Sequence, residues 1–120
     1  MGTMGLSFDG TTDFDCATCA ATLDEIKRLL QDAQHGEPID LHDLEGARDS
    51  MQELLVSARE WIGLKICAEQ GVTKLMLEVQ LYRVNNVIRL TLDTELTLGI
   101  LLAQAAVASS VIRALAMGRG

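Results

Sequence analysis

From Val72 to Met117 the chain is Leu, Val, Ile or Ala at more than half of its positions, with seven charges and no His or Cys. That much apolar surface has to be covered, whether by the chain's own N-terminal half, by a second copy or by a partner. A stretch this poor in reactive side chains points to interaction or assembly and away from catalysis.

The rest of the 120-residue sequence narrows how the covering is done. A chain of this length is one domain and can bury a core of its own. Aromatic residues make up 3% of it, and Pro38 is the one proline. A core built from Leu, Ala and Met suits helix-on-helix packing, and scarce proline leaves long helices unbroken.

Residues 1–60 hold thirteen acids and four bases, while residues 61–120 hold four acids and six bases. The acidic balance excludes nucleic acid as a partner, because gripping phosphates needs a basic face. The asymmetry sets the two halves to attract one another, within one chain or between chains.

Residues 1–16 are mostly Gly, Thr, Ser and Asp with few apolar anchors, and are expected to form a disordered leader without the pattern of a cleaved signal peptide. Residues 17–118 are then a single helical domain. Between Ala17 and Gln34, Leu23, Ile26, Leu29, Leu30 and Ala33 recur at helical spacing, and Gly36 and Pro38 end the helix. Asp40 is a natural N-cap for a long second helix over Leu41–Glu69, whose stripe runs Leu44, Ala47, Met51, Leu54, Leu55, Ala58 and Ile62.

Residues 72–98 fit two periods. At helical spacing Leu77, Leu81, Val84, Ile88 and Leu92 form one seam, and Leu75, Val79, Tyr82 and Leu90 form a second line on the opposite side. At period two the same run reads as two strands around Asn85-Asn86, giving an α+β alternative with a hairpin at about 75–98. Helix is favoured, because no Gly or Pro punctuates the run and a lone hairpin would lack partners. Gly99–Met117 is Ala-rich and helical, and the uncharged run 96–112 is shorter and more polar than a stable membrane span requires. The fold expected is all-α, with three to four helices and the 41–69 helix packed antiparallel on the 73–97 helix through Met51, Leu55, Ala58 and Ile62.

Candidate chemistry is thin. Cys16 and Cys19 have the CxxC spacing that places two thiols one helical turn apart, where they can share a zinc ion or a disulfide. The histidines that would complete a zinc site, His35 and His42, straddle Pro38, and no strand precedes the motif as a redox βαβ unit needs. The pair reads as small residues opening a helix, replaceable by Ser without loss of folding, and Cys67 as a small buried hydrophobe. Asp40, His42, Asp43 and Glu45 read as helix-start residues. No glycine-rich phosphate loop and no nucleophile elbow is present. No enzyme activity, metal, cofactor or small-molecule substrate is expected.

The segments Lys74–Thr91 and Ala105–Ala116 carry a family resemblance. Leu75, Leu77, Gln80, Leu81 and Tyr82 in the first, and Ala106, Val107, Ser109, Val111, Ile112 and Leu115 in the second, resemble the C-terminal helices of bacterial type III secretion inner-rod subunits and, more distantly, needle subunits. The resemblance implies a small helical subunit made in the bacterial cytoplasm, exported without a cleaved signal, and assembled within a secretion conduit. The rival expectation is a helical chaperone or adaptor that takes a partner helix in an apolar groove. In either case partners are copies of itself or other helical proteins. The expected interface residues are Leu77, Leu81, Val84, Ile88 and Leu92 with Leu75, Val79 and Tyr82, one line meeting the chain's own second helix and the other another molecule.

Overall fold

The computed structural model describes residues 15–118, which form four helices: α1 (Cys16–Gln34), α2 (Leu41–Ala68), α3 (Gly71–Asp93) and α4 (Leu98–Gly118). Among the described residues there is no strand. The helix expected across the ambiguous stretch is continuous through Asn85-Asn86, which rules out the hairpin. It stops at Asp93, short of the expected 97, because Thr94 turns extended and residues 94–97 link it to α4. Most of the expected leader, residues 1–14, lies outside the described residues. Its last two residues, Asp15 and Cys16, are the N-cap and the first residue of α1.

Each helix end has an identifiable chemical cause. Asp15 caps α1 by accepting from the Ala17 amide at 3.0 Å and the Thr18 hydroxyl at 2.7 Å. At the other end the Gly36 amide donates to the Ala33 carbonyl and the Glu37 amide to the Asp32 carbonyl, a Schellman pattern that needs the left-handed φ of 115° at Gly36. Asp40 and Asp43 form a reciprocal capping box at the start of α2. Gln70 gives α3 no side-chain cap, and the two-residue connection is made possible by Gly71, whose φ of 67° a side chain would strain. The Ile100 amide donates to Thr97 Oγ1 at 3.2 Å as α4 begins.

The connections of six, two and four residues fold successive helices back on one another, in the manner of an up-down-up-down bundle. The packing is uneven. α1 lies chiefly on α4 and α2 on α3, the two pairs join mainly through α3 and α4, and α1 touches α2 only slightly. α1 and α3 do not meet.

Leu23 and Leu30 of α1, Met51, Leu55, Ala58 and Ile62 of α2, Val84 of α3 and Leu101, Ala105, Ala108, Val111 and Ile112 of α4 are completely buried. The expected stripe of α2 is therefore its core face. Alanines at 58, 105 and 108 keep the facing surfaces flat and let helices approach closely.

Three polar side chains are buried with this core, Thr91, Gln104 and Ser109. Two of them tie helices together at the end where α3 passes into α4. Gln52 Nε2 donates to Thr91 Oγ1 at 3.0 Å, and Thr91 Oγ1 donates to the Ile88 carbonyl at 2.6 Å. Gln104 Nε2 donates to Thr94 Oγ1 at 2.8 Å and to the Leu90 carbonyl at 3.3 Å, which also accepts from the Thr94 amide at the end of α3. Further along α4, Asp24 of α1 accepts from Ser109 Oγ at 2.7 Å and pairs with Arg113. This clasp is one place where an acid of the first half meets a base of the second. Leu98–Ala116 is long and apolar enough by length and composition to cross a membrane, yet in this fold its buried positions fill the bundle.

Candidate interaction surfaces

α3 presents two faces of different character. Val84, Val87, Ile88 and Thr91 are buried, and Leu77 and Leu81 are half-buried against the core. Four members of the expected seam thus face the bundle. Leu92, the fifth, is 69% exposed, since it lies about 100° around the helix from Thr91, which takes the inward position in that turn. Val87 and Thr91 were absent from the expected seam, although Val87 follows Val84 at three residues and Thr91 follows Val87 at four.

The second expected line is on the outside. Leu75, Val79 and Tyr82 are 61%, 56% and 68% exposed, Leu90 is also exposed, and Val72 and Met76 extend the same face towards the N-terminus. Spacings of three and four residues make Val72 to Tyr82 a continuous apolar stripe along α3, and Leu90 lies on the same face two turns further on, beyond Asn86. Arg83 lies within it, and Lys74, Glu78 and Arg89 are exposed on the same helix. Arg89 Nη2 donates to Asn86 Oδ1 at 3.0 Å.

A second surface follows from the slight contact between α1 and α2. A groove of about 560 Å³ runs between the C-terminal half of α1 and the N-terminal half of α2. Ile26, Leu29 and Ile39 give it apolar walls, and Asp32, Glu37 and Asp43 rim it with carboxylates. No Lys or Arg lines it. At the opposite end, where α2 passes into α3, a cleft of about 370 Å³ is lined by Trp61, Lys65, Glu69, Met76, Gln80 and Leu115 among others. Trp61 is almost fully buried there, with Lys65 Nζ 5.5 Å from its ring centre.

The remaining candidates have structural roles. Asp40 and Asp43 are engaged in the capping box, and among the described residues no three His, Cys, Asp or Glu side chains converge to hold a metal ion. Cys16 and Cys19 are buried free thiols at the start of α1. Burial, with Cys16 close by, pushes the Cys19 thiol up from 9.0 to about 11. A thiol so reluctant to ionise is a poor nucleophile, and two such side chains are part of the core, so the expectation that serines would replace them without loss requires revision. Cys67 reverses the expectation made for it. It is exposed, because it falls in the last turn of α2 on the side away from Ile62 and Trp61.

No family model, no curated protein and no solved structure matches this chain.

Proposed function

We propose that this chain is a non-enzymatic helical assembly subunit that associates with copies of itself through the outer face of α3. The observation that carries the reading is the stripe Val72, Leu75, Met76, Val79 and Tyr82, five large apolar side chains exposed in a row along one helix whose opposite face already fills the bundle, with Leu90 exposed further along it. Scattered apolar residues are ordinary on a protein surface, whereas a contiguous row marks a contact surface. The resemblance of residues 74–91 and 105–116 to inner-rod subunits supports a place for the subunit in a bacterial type III secretion conduit, reached by export without a cleaved signal peptide. The groove between α1 and α2 supports a second reading, a helical chaperone or adaptor that holds a partner helix.

Size-exclusion chromatography with light scattering over a range of concentrations separates these. Self-assembly gives masses above the 13.0 kDa of one chain that rise with concentration, and Tyr82→Asp returns the protein to monomer with its helical circular dichroism unchanged. A wild-type chain that stays a folded monomer at every concentration overturns the assembly reading in favour of the adaptor.

A further inference from the structure

The partner of the α3 stripe can be specified more closely. We propose that it docks in the α1–α2 groove of a second copy, so that copies join head to tail; this rests on the assembly reading above.

Three properties of the two surfaces support the match. The first is charge. The groove has three carboxylates, Asp32, Glu37 and Asp43, with His42 and no Lys or Arg, whereas the stripe carries Lys74 and Arg83 against Glu78, a balance of two bases to one acid. A basic amphipathic helix is the occupant that an apolar trough with an acidic rim favours. The second is length. At 1.5 Å per residue, the stripe from Val72 to Tyr82 spans about 15 Å, and the α2 wall from His42 to Ser50 about 12 Å, with Pro38 and Ile39 of the connection extending it. The third is position. The stripe is exposed on the outside of its own bundle, and no Cα of α3 comes within 8 Å of α1, so the stripe does not fill the groove of its own chain.

The other occupants fit less well. Residues 1–14 carry Asp9 and Asp13 and no base, so the acidic rim repels them. A twofold α3–α3 pair would set like net charges together and leave the groove open. Stripe-to-groove contact is heterologous, with each copy still presenting a free stripe at one side and a free groove at the other. Such contacts propagate into a ring or an open array and do not stop at a dimer.

Two variants, each disabling one surface at an exposed position, test the match: Val79→Asp on the stripe and Leu29→Glu in the groove. Both are expected to retain wild-type circular dichroism and to be monomeric alone by light scattering. Mixed in equal amounts, they are expected to form a species of twice the monomer mass and nothing larger, because one intact stripe meets one intact groove and growth is then blocked. A second pair guards against local misfolding: Arg83→Glu, and Asp32→Lys with Glu37→Lys, should each weaken association alone and restore it when mixed. If the Leu29→Glu chain assembles as the wild type does while Val79→Asp is monomeric, the groove is not the partner, although self-assembly stands. A mixture that stays monomeric, or reversed charges that fail to rescue one another, overturns the proposal equally. A wild-type chain that never associates removes the assembly reading itself.

Discussion

Truncating one side chain on each face of α3 tests the assignment on which the functional reading depends. Ile88 is 9% exposed and Leu75 61%. Ile88→Ala removes buried methyl groups and leaves a gap, a change that costs about 2–5 kcal/mol. Leu75 has already left most of its surface in water, so only some two-fifths of the ~1.5–3 kcal/mol for burying a leucine is at stake, about 1 kcal/mol. Alanine's higher helix propensity returns part of even that.

Urea unfolding followed by circular dichroism, at a dilution where the chain is monomeric, reads the difference directly. With a slope near ~2 kcal/mol per molar, the midpoint should fall by roughly 1–2.5 M for Ile88→Ala and by less than ~0.5 M for Leu75→Ala. The measurement repeated at high concentration adds a second contrast. Assembly binds the folded chain alone and so raises the wild-type midpoint, and Leu75→Ala should lose that rise. Equal losses at the two positions, or a larger one at Leu75 in dilute solution, would refute the assignment of inner and outer faces.

Other outcomes follow from single features. At pH 8 a thiol reagent should modify Cys67 rapidly and Cys16 and Cys19 only after denaturation, so one thiol titrates in the folded protein and all three in urea. Because the Cys19 thiol ionises near 9.0 when unfolded and near 11 when folded, the unfolded chain loses its proton first. The contribution of Cys19 to stability is therefore whole below pH 9 and is lost as pH rises through 11, which thermal melts across that window will show against a Cys19→Ala control. Cys16→Ser combined with Cys19→Ser should lower the melting temperature, because two hydroxyls, costlier to desolvate than thiols, are then buried in the core. Asp40→Ala should lower stability by about 1 kcal/mol through loss of the α2 capping box, measured by the same urea titration.

Much of the architecture is legible because its causes are local. The Leu41 start is set by Asp40 and Asp43, the end of α1 by Gly36, and the core face of α2 by residues spaced three and four apart. Asp15 was equally readable as a cap, with Thr18 three residues on, but the polar composition of residues 1–16 masked it. The two lines of α3 were separable by spacing, yet which of them faces inward depends on where α2 and α4 lie. The groove was not legible at all. It exists because α1 pairs with α4 and leaves α2 partly uncovered, a choice made by contacts such as Ser109 with Asp24, which lie 85 residues apart. Cys67 failed for a related reason: apolar character placed it inside, whereas its angle around the helix places it outside.

The pairing of α1 with α4 also sets an order of events at the ribosome. Of the four described helices α1 emerges first, but the sixty-three residues from His35 to Thr97 must be made before its main partner even begins. At roughly 5–20 residues per second that interval is about 3–13 s, while the α2–α3 hairpin, joined by two residues, can close within microseconds to milliseconds of its synthesis. Throughout it Leu23 and Leu30 have no permanent cover, and α1 is a free amphipathic segment available to a chaperone. Of the four helices α1 thus waits longest for its main partner, and whatever keeps the chain from folding prematurely has α1 as the natural place to hold.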